Sequence, residues 1–226
     1  MLAANQMRLG GSSRSEYAYQ EIRQRILSGR WRPGELISTY ALAEELQISR
    51  TPVSEALKRL ASEGLIDIIP QVGCIVRVPQ PGEIQETFLI RAVLEGLSAE
   101  MAASRITDKD INALEDILKT SEEAARCNDA AHYESLNRAF HNTISQVANL
   151  YTLNRLLVSL WQLSGYQTAS IPFFAERFNV SLREHSIILE YLKKRDPVGA
   201  RQATEAHLRR CAKDFAHFAE HLQKEG

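Results

Sequence analysis

Arg50, Thr51, Ser54 and Lys58 fall on the outward face of a short predicted helix whose other face carries Val53, Ala56, Leu57 and Leu60. A guanidinium that can donate to guanine or phosphate, two small hydroxyls and a lysine nearer the backbone are the chemistry of a DNA-reading helix. Such a face is slim and polar enough to enter a major groove about 12 Å wide. A second set lies downstream: His141, His185 and His207 stand on the apolar faces of three predicted helices. A neutral, inward-facing imidazole can ligate a metal or hydrogen-bond a neighbour in the core, and taken singly each of these reads as a core histidine. Asn137 precedes His141 by one helical turn, so the two can point to one spot, while the alanines Ala200 and Ala203 beside His207 leave room for another group. Arg91 and Glu95, also one turn apart, suit either a salt bridge buried in a bundle or the capture of an anionic ligand. His132, His217 and His221 read as surface or helix-end residues without a role.

These side chains need elements to hold them. Residues 1–14, with Gly10, Gly11, Ser12 and Ser13 among them, read as a mobile arm. Tyr19, Ile22, Ile26 and Leu27 recur at helical spacing from Ser15 until Gly29, and Arg32, Pro33 and Gly34 then signal a turn. Ser38 or Thr39 caps a second helix carrying Leu42, Ala43 and Leu46. A third opens after Ser49 or Arg50, with Pro52 in its first turn where a missing N–H costs nothing. Gly64 ends it, and Leu65–Ile69 and Cys74–Val78 are β-rich runs joined by a tight turn at Pro70–Gly73, so that Gln71 and Gly73 sit at the tip of a hairpin. Three helices and a two-stranded wing over residues 15–78 make a winged helix-turn-helix, with Tyr40 on its second helix. Two prolines and a glycine in residues 79–82 mark a linker. From residue 83 to 226 the pattern is helical throughout, predicting helices over 83–104, 108–127, 130–148, 150–163, 174–195 and 197–224. The fold class is therefore mainly α: an N-terminal winged helix-turn-helix followed by an all-α bundle.

Composition narrows the function classes. The chain has 226 residues, 44% hydrophobic, enough for two modest cores. It has no run of about 18 apolar residues and its start lacks an apolar signal region, which argues against export or membrane insertion and points to the cytoplasm. Cys74, Cys127 and Cys211 are odd in number, widely spaced and without CxxC spacing, which argues against a disulfide framework or a cysteine metal site. Charge is uneven: through Val78 there are 10 Lys and Arg against 8 Asp and Glu, net +2, and the remainder has 17 against 20, net −3. Positive charge is concentrated on the module that would meet phosphate.

The segments ILSGRWRPGELIS and LAEELQISRTPVSEALKRLASEGLI, with the glycine-containing wing after them, resemble the N-terminal domain of GntR-family transcription regulators. The resemblance implies a homodimer on a palindromic operator, with the positions of Arg50, Thr51 and Ser54 touching DNA. Many relatives carry arginine where Ser54 stands, and some carry one where Tyr40 stands, so base preference does not transfer. The second part resembles the FCD domain of the FadR-type branch, on Asn137-Arg138-Ala139-Phe140-His141, Glu184-His185, and His207 after Asp196, Pro197 and Ala200. What this implies is a divalent metal, zinc or nickel, held at Asn137, His141, His185 and His207, beside a small organic acid effector. Arginine in the RxxLE pattern of the first helix, here Arg91 with Glu95, inclines that pair towards the effector. Aspartate is usual where Asn137 stands; an amide oxygen can ligate but brings no charge against a dication.

The function expected is a ligand-responsive transcription regulator, a repressor, and not an enzyme. A metal-dependent hydrolase using the histidines, a regulator that senses the metal itself, and one with a metal-free site are the alternatives.

Overall fold

A computed structural model describes residues 11–168 and 173–225. The chain divides into two compact units, Met1–Pro79 and Gln80–Gly226, each with its own core.

The first unit contains α1 (Gly11–Leu27), β1 (Leu36–Ile37), α2 (Thr39–Glu45), α3 (Arg50–Ser62), β2 (Ile66–Ile69) and β3 (Gly73–Val76). Helix α1 begins four residues ahead of the expected start at Ser15, so Gly11–Arg14 of the expected arm are helical; the rest of that arm lies outside the described residues. Ser38 caps α2 by accepting from the Ala41 amide at 3.2 Å, and the chain turns into α3 through Gln47 at φ 54°. Ile22, Ile26, Val53, Leu57, Leu60, Ile66 and Val76 fill the core. The sheet has three strands in the order β1-β3-β2, not the two expected. Leu36 and Ile37 pair antiparallel with Ile75 and Cys74, a strand too short for alternation to reveal. At the hairpin tip Gln71 and Gly73 both have positive φ, 66° and 125°; the second is a conformation suited to glycine.

Among the described residues the second unit has six helices: α4 (Pro81–Ala103), α5 (Asp108–Arg126), α6 (Ala130–Ala148), α7 (Tyr151–Thr168), α8 (Phe173–Lys193) and α9 (Pro197–Glu225). Pro81 and Gly82, expected in a linker, are the first two residues of α4. Proline is tolerated there because the first N–H groups of a helix have no partner within it, and Glu83 accepts from the Gln80 amide at 3.0 Å to close the turn. Thr107 and Asp110 cap α5 reciprocally, and Asn149 ends α6 in the left-handed conformation. One core layer joins Ala99, Ile106, Leu114, Phe140, Ile144, Ile188 and Leu192; another joins Ile84, Phe88, Leu208 and Phe215 along α4 and α9. Helix α4 has two faces. Arg91 and Glu95 are buried, whereas Leu89, Ile90, Val93 and Leu97 are 38%, 42%, 47% and 37% exposed. Among the described residues no helix is long and apolar enough to cross a membrane.

Candidate functional site

Two constellations emerge, one in each unit. In the first, Arg50, Thr51 and Lys58 are exposed on α3 and Ser54 is half-buried, so all four lie on the side away from the core. Arg59, which a helical i,i+4 pairing would tie to Glu55, instead turns back onto α1. Its guanidinium donates to Glu16 at 2.7 Å, lies 3.4 Å from Glu63 and stacks 3.6 Å from the centre of the Tyr19 ring. It braces α3 against α1 and leaves the outward face to Arg50, Thr51, Ser54 and Lys58. Tyr40 on α2 is 67% exposed, and Gln71 and Gly73 are exposed at the wing tip. The arrangement can present donors and hydroxyls to a groove.

In the second unit, α6, α8 and α9 bring His141, His185 and His207 together, all buried. Nε2 of His185 lies 3.2 Å from Nε2 of His141 and 3.3 Å from Nε2 of His207. Carboxylates set the rings from behind. Glu95 Oε2 lies 2.6 Å from Nδ1 of His141, and Glu184 Oε2 lies 2.6 Å from Nδ1 of His207. With Nδ1 of His207 hydrogen-bonded to Glu184, Nε2 of that ring presents its lone pair inwards, whereas Glu95 Oε2 stands close to Nδ1 of His141 without completing a hydrogen bond. Phe140 stacks on His185 at 4.6 Å between ring centres and fixes that ring by packing.

Each carboxylate is itself held. Arg91 Nε donates to Glu95 at 2.8 Å, Nη1 donates to Ser164 at 3.1 Å, and the guanidinium lies 3.5 Å from the centre of the Trp161 ring. Glu184 accepts from Arg210 at 2.7 Å and from Arg177 at 3.2 Å. Burial by itself would raise the Glu95 carboxyl, but Arg91 and His141 outweigh it and bring it down to about 2. Burial, and then the neighbouring imidazoles, hold His185 and His207 well below the ordinary histidine range, so both are neutral. Burial pushes the Cys211 thiol, 2.8 Å from Arg177 Nη1, up to about 12.

Helix α6 carries Asn137 half-buried, one turn ahead of His141. Arg91 and Glu95 form the salt bridge that their spacing allowed. Sequence reasoning missed Glu184, Arg177, Arg210 and Trp161 as parts of the site. Glu184 stood beside His185 in the quoted motif, and a charged residue on the apolar side of a helix was the available signal; the arginines and Trp161 gave none.

Comparison with known proteins places the chain. Residues 14–76 match the gntR family of bacterial regulatory proteins and residues 86–210 match the FCD domain, the latter being 125 of the 226 residues. The HTH-type transcriptional regulator YdhC of Bacillus subtilis is 28% identical over 207 residues, covering 91% of this chain and 89% of its own. The HTH-type transcriptional repressor RspR of Escherichia coli is 28% identical over 200 residues, 86% of this chain and 85% of its own. The solved structure of McbR from Escherichia coli has a TM-score of 0.65 at 23% identity, over 95% of this chain and 99% of that one, and shares its fold. These relatives are regulators and not enzymes, and the two carboxylates beside the histidines are each engaged by an arginine and an imidazole. The chain belongs to the GntR family of DNA-binding transcriptional regulators, in the branch whose second domain is an FCD domain.

Proposed function

We propose that this regulator is a repressor whose helical domain binds one divalent metal and a small carboxylate effector, which together change its affinity for a palindromic operator. The observation that carries the reading is the convergence of three buried Nε2 atoms at 3.2 and 3.3 Å. Two imidazole nitrogens sharing one tetrahedral ion at about 2.0–2.1 Å stand roughly 3.3 Å apart. The donor set fits a metal: three buried imidazoles on rigid helices, two of them held neutral by burial, each outer carboxylate itself anchored. Zinc is the first choice for three imidazoles and nickel the second. His141, His185 and His207 would hold it, with Asn137 as the adjoining oxygen donor and Arg91 meeting the effector carboxylate, while Glu95 holds Arg91 in place. Such a metal, when bound, supplies a positive centre that attracts an anionic effector.

On the DNA side Arg50 is assigned to a base edge, Thr51 and Ser54 to base edges or phosphate, and Lys58 and Tyr40 to the backbone. Gln71 and Gly73 approach the adjacent groove. The uncovered stripe of Leu89, Ile90, Val93 and Leu97 on α4 supports a homodimer, since a palindrome calls for two copies. The likeness to RspR, a transcriptional repressor, supports repression.

Elemental analysis of purified protein should find about one zinc or nickel per chain, lost in the double variant His185→Ala and His207→Ala. A protein stripped of metal whose operator affinity still responds fully to carboxylates would remove the metal from the reading.

A further inference from the structure

We propose that the pocket between α6 and α7 is a second ligand site, distinct from the histidine cluster, which takes a small amphipathic carboxylate. The cavity holds about 350 Å³, within the range of small-molecule sites. Its lining divides by chemistry: Arg138, Asn142 and Asn154 are polar, and Leu157, Val158 and Trp161 form an apolar wall. None of His141, His185, His207, Arg91 and Glu95 lines it.

Three details make this a built site. Arg138 reaches from α6 across to α7, where its Nη2 comes to 2.9 Å from the place a Cβ on Gly165 would occupy; glycine there lets the guanidinium lie against the second helix. Its ion pair with Glu134 is long, 3.5 Å, and both side chains are about half exposed, at 45% and 40%. A pair of that kind is weak and screened, so a ligand carboxylate can replace Glu134. The Asn154 amide oxygen accepts from the Ser145 hydroxyl at 2.5 Å, which turns its amide nitrogen into the donor. A carboxylate receiving from Arg138 and the asparagine amide would leave its carbon body against Leu157, Val158 and the Trp161 ring. That division of labour, one charged anchor and an apolar wall, selects an amphipathic acid over inorganic anions and over neutral apolar molecules.

Trp161 provides the test. The chain has two tryptophans, Trp31 in the first unit and Trp161 in this pocket, so Trp31→Phe leaves a single reporter. The Trp161 ring also lies 5.3 Å from His141, and fluorescence alone would not separate the two sites. The titration is therefore run on Trp31→Phe protein before and after chelator treatment and repeated with His185→Ala and His207→Ala added. Phenylacetate is the probe and phenylacetamide its neutral control. The expected result is a saturable change with phenylacetate in both proteins, weakened at least about tenfold by Arg138→Ala and by use of the amide. Equal affinity for acid and amide, or no saturable change, overturns the proposal. So does binding that disappears on chelation, since the ligand would then sit at the histidines. Metal content is measured separately, so failure here leaves the metal reading untouched.

Discussion

Arg50 and Arg91 divide the molecule between them. The first stands exposed on α3, facing away from its own core. The second is 2% exposed, bonded to Glu95 and Ser164 and stacked on Trp161. One unit keeps its chemistry on the surface and its stability elsewhere. The other has made its chemistry part of its core, so removing a partner from a buried charge there costs the fold stability. Function should therefore separate from stability in the first unit and remain bound to it in the second.

Arg91→Ala is the severest way to try to break that contrast. It leaves the buried Glu95 carboxylate without its cation and should destabilise the helical unit by about 3–5 kcal/mol, read by urea unfolding. A loss below about 1 kcal/mol would mean that the site is wetter or looser than the geometry indicates. Arg50→Ala should do the reverse. Stability should stay within about 0.5 kcal/mol, while operator affinity in a gel-shift assay falls by about 1–3 kcal/mol. An unchanged affinity would move the DNA contact off α3.

The mildest test is a slope. All six histidines belong to the second unit. Burial and the neighbouring imidazoles keep His185 and His207 neutral in the folded state. The unfolded chain takes up protons near a pKa of about 6.5. Because the unfolded state then binds more protons, stability of chelated protein should fall as pH drops below about 6.5 and level off above it. The first unit, which has no histidine, should not share that dependence. Thermal unfolding followed at a series of pH values checks it, and a flat profile for the helical unit would count against neutral, buried imidazoles.

Local signals carried most of the fold into view. The recognition helix is one short segment, so its inward stripe and outward polar face were both readable from spacing, as was the helix stop at Gly64. β1 was not, because two residues carry no period, and its pairing with β3 depends on a partner nearly forty residues away. The histidine cluster was legible only in part. Each ring could be put on an apolar helix face, but their convergence at 3.2 and 3.3 Å comes from the packing of α6, α8 and α9, a tertiary fact. Resemblance named the three histidines before geometry could. It did not reveal how Glu184 is held between His207 and two arginines from other turns and helices, nor that Trp161 covers Arg91.

Helix α4 sets the scale on which the molecule can relay a signal. Residues two apart on a helix point in nearly opposite directions, so Arg91 and Glu95 face the histidines while Val93 and Leu97 face outwards. In the proposed function, the distance between what would hold the effector and what a second copy would grip is thus one helix diameter, about 10 Å. A stiff rod has little room to absorb a rotation. A turn imposed on its inner face by an effector would reappear on its outer face with no chain of intermediate side chains, because the two surfaces share one backbone.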